Sequence, residues 1–232
     1  GGRKMDSRLK KIVDKIREDN LRERVAQLVE EPSVEIDGRV YTGLPLDRSP
    51  GSVSRHHSYA GGWLEHVIAT AKIALTLSDV VRRVYHGKVN TDLVLSGVLL
   101  HDLFKPLTYV EKEDGTYDVT PLAERLDHLT LITSELLRRG FPLPLIHIVC
   151  AHYGEYGPMQ PRTLEALIVQ IADIADSNLN GKVLDAAKFL VKRATEEEIR
   201  QISSKDAFEI IRIKAEEGLE GVKKYVVGSL KT

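Results

Sequence analysis

The sequence has one cysteine, almost no net charge and no long apolar run. Its 232 residues carry a formal net charge of −1, so no overall field draws the protein to duplex nucleic acid or to a membrane surface. Cys150, alone, excludes an intrachain disulfide and suits a reducing compartment. No apolar stretch reaches the ~18 residues of a membrane-spanning helix, and GGRKMDSRLKK lacks the apolar middle of a signal peptide. We therefore expect a soluble, cytoplasmic protein without a membrane partner.

The chain does contain abundant apolar residues at helical spacing. With 42% hydrophobic and 29% charged residues, its composition is that of an ordinary globular protein. Apolar residues recur every three or four positions through most of the chain, which is typical of amphipathic and buried helices. Helices are predicted at about 5–30 (with a break near Asn20), 60–85, 91–104, 121–140, in PLPLIHIVCA, at 163–194 and at 196–227.

Two short segments are predicted to be β-hairpins. VEIDGRVYT turns at Asp37-Gly38, and TYVEKEDGTYDVT alternates polar and apolar residues around Asp114-Gly115. The expected fold class is therefore all-α, a helical bundle with two minor hairpins. We expect one domain in four segments: an N-terminal helix (1–31), a connecting segment with a possible hairpin (32–58), a helical core (59–195) and a C-terminal helix packed on that core (196–232).

Histidines are concentrated in one part of the sequence. The chain has eight, and all fall between positions 56 and 152: His56, His57, His66, His86, His101, His128, His147 and His152. In GVLLHDLFK (97–105), a histidine and an aspartate interrupt an apolar run. Because an unpaired buried charge is costly, this pair indicates either a satisfied ion pair or a metal site. Asp173 and Asp176 pose the same problem in IADIADS.

The chemistry of these side chains favours a metal. Imidazole and carboxylate together suit divalent transition metals, and a bound cation compensates for the loss of hydration of a buried carboxylate. Lys105 follows His101 by four residues and is expected on the same helix face, where it would attract a phosphate held by the metal. Histidine and carboxylate at these positions therefore indicate a divalent metal site.

The ordered set His66, His101-Asp102, Asp173 is similar to the H…HD…D signature of the HD superfamily of metal-dependent phosphohydrolases. More closely, HHSYAGGWLEHV, GVLLHDLFK and AHYGEYG…PRTLEALIVQIADIADS resemble the HD domain of CMP-binding-factor-type 3'-5' exoribonucleases. The resemblance covers about 53–178 and implies an all-helical HD core. Phe104 stands where the common HD-x-Gly-Lys form has glycine. Its larger side chain is expected to narrow the path by which a substrate approaches the metal.

The resemblance implies a role for each matching residue. The first metal is expected on His66, His101, Asp102 and Asp173, and a second is expected on Asp102, His128 and His152, with Asp102 bridging. Mn²⁺ is the first choice, with Fe, Co, Ni, Zn and Mg as alternatives. The expected catalytic residues are Asp102, Lys105 and His128, and the expected substrate-binding residues are Arg55, His56, His57 and Lys105.

The predicted function is hydrolysis of a phosphoester bond in a nucleotide or short oligonucleotide by metal-activated water. Two alternatives stay open: an exoribonuclease-like nuclease acting on RNA, and a non-catalytic nucleotide-binding regulatory module. A homodimer through the C-terminal helix is a further possibility.

Other polar residues are predicted to support the structure. Asp176 is expected near a helix end or beside a ligand. Glu124 is expected either to be solvated or, one turn before His128 in the predicted helix, to orient that histidine. His147 is assigned to the core and His86 to an exposed helix end. Trp63 and Tyr59 are core residues or, alternatively, stack on a base.

Overall fold

The computed structural model describes residues 5–230. In chain order its elements are α1 (Ser7–Val13), α2 (Asp19–Glu30), β1 (Ser33–Ile36), β2 (Arg39–Thr42), α3 (Gly62–Arg83), α4 (Thr91–Leu100), α5 (Lys105–Thr108), β3 (Tyr109–Glu111), β4 (Tyr117–Val119), α6 (His128–Arg138), α7 (Leu143–Ala151), α8 (Leu164–Thr195) and α9 (Ser204–Tyr225). A 3₁₀ turn (Gly154–Tyr156) follows α7, and a π-helical turn (Val226–Leu230) follows α9. The predicted all-α class with two minor hairpins is confirmed.

The main apolar cluster surrounds α4. Every residue of α4 from Val94 to Leu100 is buried, and the helix packs against α2, α3, α7 and α8. Gly97 allows the close approach to α7, since a Cβ at this position would lie 2.4 Å from Ile148 Cγ2. The helix that leads into His101-Asp102 therefore lies at the centre of the bundle.

A second apolar cluster joins α9 to the C-terminal half of α8. Leu184, Ala187 and Val191 of α8 pack with Ile210 and Ile213 of α9. Helix α9 begins at Ser204, where the Ser203 hydroxyl accepts a 3.1 Å hydrogen bond from the Asp206 backbone N–H. The predicted C-terminal helix thus starts later than 196, because this cap ends a loop that occupies 196–203.

Both hairpins form where they were predicted. In the first, Val34 pairs with Tyr41, and both turn residues have positive φ, 52° at Asp37 and 72° at Gly38. That geometry is typical of a type I′ turn, which matches the twist of the strands. In the second, Val110 pairs with Asp118 around Gly115, whose φ is 75°.

Several predicted helix boundaries are wrong. The predicted break in the N-terminal helix is present but falls at 14–18, slightly before Asn20, because the Glu18 carboxylate caps α2 at Asn20 and Leu21. Helix α4 ends at Leu100 instead of 104, so the histidine–aspartate pair follows the helix. Helix α6 begins at His128, well after Pro121, and the intervening residues form turns.

The predicted four-segment organisation remains a prediction. Residues 1–4 and 231–232 of its terminal segments lie outside the described residues. Within 5–230, no helix combines the length and the apolar character needed to cross a bilayer.

Asp127→Ala should destabilise the protein by about 1 kcal/mol, because the Asp127 carboxylate accepts a 2.6 Å hydrogen bond from the Thr130 N–H and caps α6. In thermal unfolding this corresponds to a Tm decrease of roughly 2–4 °C. Glu124→Ala is the matched control, since its side chain is exposed outside the helix. An equal loss in both variants would contradict a helix that starts at His128.

Candidate metal centre

The His101–Asp102 pair lies directly after α4, inside the main apolar cluster. His101 is 0% exposed and Asp102 is 1% exposed. The Trp63 indole N–H donates a 2.8 Å hydrogen bond to the Asp102 backbone carbonyl and so braces this turn. Trp63 is therefore a core residue that supports the pair, and the base-stacking alternative is wrong for it because the ring is fully buried.

Four predicted ligands meet here and form what we call the four-residue cluster: His66 of α3, His101, Asp102, and Asp173 of α8. One donor atom of each lies within 4.8 Å of all the others. His66 Nε2 is 3.1 Å from Asp173 Oδ1 and 3.5 Å from Asp102 Oδ2. His101 Nε2 is 3.4 Å from Asp102 Oδ2. The fold brings together side chains that are far apart in the sequence.

The Nε2 atoms of His66 and His101 point at each other. His101 Nδ1 is 2.8 Å from the Val98 carbonyl, which can only accept a hydrogen bond. His66 Nδ1 is 2.7 Å from Asp176 Oδ2. Burial lowers the pKa of His66, but the carboxylates of Asp102, Asp173 and Asp176 raise it well above its usual value, so without a cation this ring is protonated. A cation bound here would take the place of the proton on Nε2, and the Nε2 atoms of the two rings face each other at 3.3 Å. Coordination through Nε2 while Nδ1–H donates to an acceptor is the usual arrangement of histidine ligands.

A second group, the three-residue cluster, comprises Asp102, His128 of α6 and His152 at the end of α7. Asp102 Oδ1 is 3.2 Å from His128 Nε2 and 3.7 Å from His152 Nε2. Asp102 Oδ1 and His152 Nε2 are buried and accept no hydrogen bond from the described residues. Such atoms are costly to bury unless something else binds them. Asp102 thus presents one oxygen to each cluster.

The charge states suit metal ligands. Burial favours the neutral acid, yet Lys105 and His101 hold the pKa of Asp102 well below its usual range. Burial likewise opposes the ionised form of Asp173, while His101 and His66 hold its pKa well below the usual value. Burial lowers the pKa of His152 to about 4, so its ring is neutral at pH 7.

These donors fit one or two divalent cations. Metal–ligand bonds of ~2.0–2.2 Å place neighbouring donors about 3–3.5 Å apart, as most of these distances are. The orphaned Asp102 Oδ1 and His152 Nε2 supply an independent reason for a cation at the three-residue cluster. The residues described therefore can hold the metal that the sequence predicted.

A cavity of about 460 Å³ opens onto the clusters. Its wall includes three of the predicted substrate-binding residues, Arg55, His56 and Lys105, together with Tyr153 and the ligand Asp173. Lys105 Nζ is 2.7 Å from Asp102 Oδ2. Burial opposes its charge, but Asp102 raises the pKa of Lys105 above its usual value. The lysine is therefore a permanent cation beside the four-residue cluster.

His57 is placed differently from its prediction. It is only 2% exposed and is not among the residues that line the cavity. Its Nε2 is 3.3 Å from Asp176 Oδ2, the oxygen that also binds His66. The expected contact of His57 with substrate does not agree with this burial. His57 instead lies beside Asp176, which is the hydrogen-bond partner of the candidate ligand His66.

The backbone at His57 is held in an unusual conformation. Its φ is 50°, which non-glycine residues seldom adopt. The Asn180 side chain accepts a 2.6 Å hydrogen bond from the His57 N–H, and the Gly51 N–H donates to the His57 carbonyl at 2.8 Å. Gly62 is required here, since a Cβ on it would lie 2.1 Å from that carbonyl oxygen. This clamp sets the positions of His56 and His57.

Sequence reasoning missed neighbours of the centre, among them Ser177, whose hydroxyl donates a 3.3 Å hydrogen bond to Asp173, and Tyr153. Tyr153 lies 2.9 Å from His128 Nε2 through its hydroxyl and lines the cavity. The sequence signal that could have identified Tyr153 is its position directly after the predicted ligand His152. Glu124 does not orient His128, because residues 121–127 are not helical and its side chain is exposed.

The remaining predicted residues are placed as follows. Asp176 is buried in mid-α8 and binds His66, so the helix-end alternative is wrong and the position beside a ligand is correct. Phe104 is fully buried and does not line the cavity. His147 is half-buried and accepts a 2.9 Å hydrogen bond from the Arg162 N–H. His86 is exposed, Cys150 is half-buried and Tyr59 is a buried residue that donates to Glu65.

A helical bundle with a buried histidine–aspartate centre beside a cavity agrees with the metal-dependent phosphohydrolase class that the sequence predicts. The chain belongs to the HD domain family: the family model "HD domain" matches residues 63–178, half of the chain. The resemblance drawn from the sequence is confirmed.

Two curated relatives and one solved structure illustrate the similarity. Over 173 residues the chain is 43% identical to a dihydroneopterin 2',3'-cyclic phosphate phosphodiesterase of Methanocaldococcus jannaschii, covering 75% of this chain and 69% of the relative. It is 28% identical to the 3'-5' exoribonuclease YhaM of Listeria monocytogenes, covering 60% of this chain and 46% of that protein. The chain thus spans less than half of the exoribonuclease. The HD domain of L. monocytogenes phosphodiesterase PgpH is 18% identical, with a TM-score of 0.37 over 80% of this chain and 94% of that one.

Asp176→Asn should weaken binding of the first cation by roughly 10- to 100-fold, because the charge behind His66 is removed while an acceptor is retained. Competition with a chelator, followed by elemental analysis, measures this affinity. Asp79→Asn, an exposed carboxylate of α3 that pairs with Arg83, is the control. Unchanged affinity in Asp176→Asn would show that the 2.7 Å contact with His66 does not support the metal.

Proposed function

We propose that this HD-family enzyme is a phosphodiesterase that opens the 2',3'-cyclic phosphate of a small nucleotide-like molecule. The observation that carries the proposal is the Asp102 carboxylate, which offers one oxygen to each donor cluster beside a cavity. The 43% identical relative named for dihydroneopterin 2',3'-cyclic phosphate supports this substrate class. The cavity, about 460 Å³, is in the range that holds a single small ligand.

We propose Mn²⁺ as the metal, with Fe, Co, Ni, Zn and Mg as alternatives. His66, His101, Asp102 and Asp173 would hold the first ion, and Asp102, His128 and His152 a second. A divalent cation bound there supplies a Lewis acid that lowers the pKa of coordinated water. The Nδ1 bonds of His66, His101 and His152 keep these rings oriented for coordination.

Lys105 is the proposed residue that holds the phosphoryl group. Its ammonium lines the cavity and stays charged, so it can bind a nonbridging phosphoryl oxygen and stabilise negative charge that develops there. Its bond to Asp102 fixes the ammonium beside the donors at 2.7 Å. Together with Asp102 and His128, which would hold the metal, Lys105 completes the proposed catalytic set.

Arg55 and His56 are the proposed substrate-binding residues at the rim. Arg55 is exposed on the cavity wall and carries a permanent positive charge. Burial, with Lys105 nearby, lowers the pKa of His56 to about 3, so this ring is neutral at pH 7 and acts only through hydrogen bonds. His57 is left out because of its burial.

An exoribonuclease-like activity is the second candidate, supported by the 28% identity to YhaM. The cavity dimensions favour one small substrate over several nucleotides of RNA. A cytoplasmic location and a homodimer also remain proposals. The unpaired Cys150 supports the first.

Chelator-treated protein reconstituted with each metal provides the test. With Mn²⁺ we expect hydrolysis of 2',3'-cyclic phosphates, with 3',5'-cyclic nucleotides, phosphomonoesters and short RNAs cleaved more slowly. Asp102→Asn should lower kcat by at least about 1000-fold, since it removes the shared ligand charge. Stepwise shortening of RNA alone would favour the second candidate. Intact substrates with every metal would overturn both.

Lys105→Met should lower kcat/KM by about 100- to 1000-fold, because the charge facing the phosphoryl oxygen is lost. Metal content should not fall, since lysine is not a ligand and its removal frees Asp102. Steady-state kinetics and elemental analysis of the same preparation separate these effects. Lys72→Met, on the exposed side of α3, is the control. Loss of metal together with activity would contradict this role.

A further inference from the structure

The cavity continues along α8 beyond the metal centre. Asp173, Ser177, Gly181 and Asp185 recur every four residues and all line it. They form a stripe that winds by about 120° around α8 over these twelve residues. At a rise of ~1.5 Å per residue, Asp185 lies about 18 Å from Asp173 along the axis. A phosphate at the donors occupies only the first few ångströms. The remaining length accommodates the organic part of a substrate.

The far part of this cavity contains polar side chains that bind nothing else in the described chain. Near the metal centre, Lys105 and Asp173 are engaged with neighbouring side chains. Asn178, Lys182 and Asp185, by contrast, make no side-chain hydrogen bond or ion pair with any of residues 5–230. Lys182 and Asp185 are three residues apart and still do not pair with each other. Both are free to bind a ligand.

Their chemistry defines which ligand edge they complement. A carboxylate accepts two parallel N–H bonds, and an ammonium donates to a carbonyl oxygen. An acceptor pair beside a donor matches the aminopyrimidinone edge shared by guanine and pterin rings. That edge presents a carbonyl, a ring N–H and an amino group in order. Adenine, cytosine and uracil lack this order.

We propose that Lys182 and Asp185 form a specificity subsite on α8 that binds the amino-oxo edge of a guanine-type or pterin-type ring in the substrate. The subsite rests on the cyclic phosphodiesterase function proposed above. Lys182 donates to the ring carbonyl, and Asp185 accepts from the ring N–H and the amino group. Both residues act on binding and selectivity and lie away from the reacting phosphorus.

Asp185→Asn and Lys182→Met test the subsite in the Mn²⁺-loaded protein. The substrates are the 2',3'-cyclic phosphates of guanosine, dihydroneopterin, adenosine and uridine, with glycerol 1,2-cyclic phosphate as the ringless reference. We expect the native enzyme to prefer the two amino-oxo rings. Asp185→Asn should raise KM for them by roughly 10- to 100-fold. It should leave kcat within about twofold, with the ringless substrate unchanged.

Matched controls separate selectivity from folding. Asp79→Asn and Lys72→Met make the same changes on α3, outside the cavity. Thermal unfolding and metal content of all four variants should match those of the native protein, because the substituted side chains are exposed or partly exposed.

The outcomes are distinguishable. Selectivity lost in the α8 variants but not in the controls supports the subsite. The ratio between the guanosine and dihydroneopterin substrates then identifies the ring type. Cleavage of cyclic phosphates with no preference for amino-oxo rings, or with a preference that Asp185→Asn leaves intact, overturns the subsite alone. Absence of cleavage for every cyclic phosphate overturns the proposed function and the subsite with it.

Discussion

The structure depends on how the negative charge of one buried carboxylate, that of Asp102, is balanced by its neighbours. Asp102 is almost fully buried, and burial alone opposes its ionisation. It is surrounded by Lys105 and by the imidazoles of His66, His101, His128 and His152, which come from four different helical regions. A carboxylate placed there without these partners would cost several kcal/mol. The same arrangement that solves this electrostatic problem creates the donor set for a cation.

The candidate ligands are held in place by hydrogen bonds to neighbouring groups. Each ring of the His66–His101–His152 series is fixed at Nδ1 by a carboxylate or a backbone carbonyl. Asp176 in turn contacts His57, whose backbone is clamped by Asn180 and by the close approach of Gly62. The ligand geometry is therefore maintained by packing that reaches well beyond the ligands. Such support reduces the reorganisation needed during a reaction.

The sequence predicts those parts of the molecule whose signals are local or carried by an ordered motif. Helical periodicity located the main helices, Asp37-Gly38 and Asp114-Gly115 located the hairpins, and the ordered H…HD…D residues located the donors. The start of α6 was missed because Pro121 and the apolar pattern after it are compatible with a helix, whereas the Asp127 cap determines the boundary. The burial of His57 and the Tyr153–His128 contact depend on how distant elements pack, and no spacing in the chain encodes them.

Helix α8 is continuous from Leu164 to Thr195 and carries both the candidate metal ligand Asp173 and the far wall of the cavity. Along a continuous helix, the axial distance between two residues is set by the number of residues between them. Inserting one residue between Asp173 and Asp185 would lengthen that distance by only ~1.5 Å but would turn the distal side chains by ~100°. Relatives that accept longer or shorter substrates are therefore expected to carry different side chains along this wall of the cavity. The number of residues between the positions of Asp173 and Asp185 is expected to stay the same.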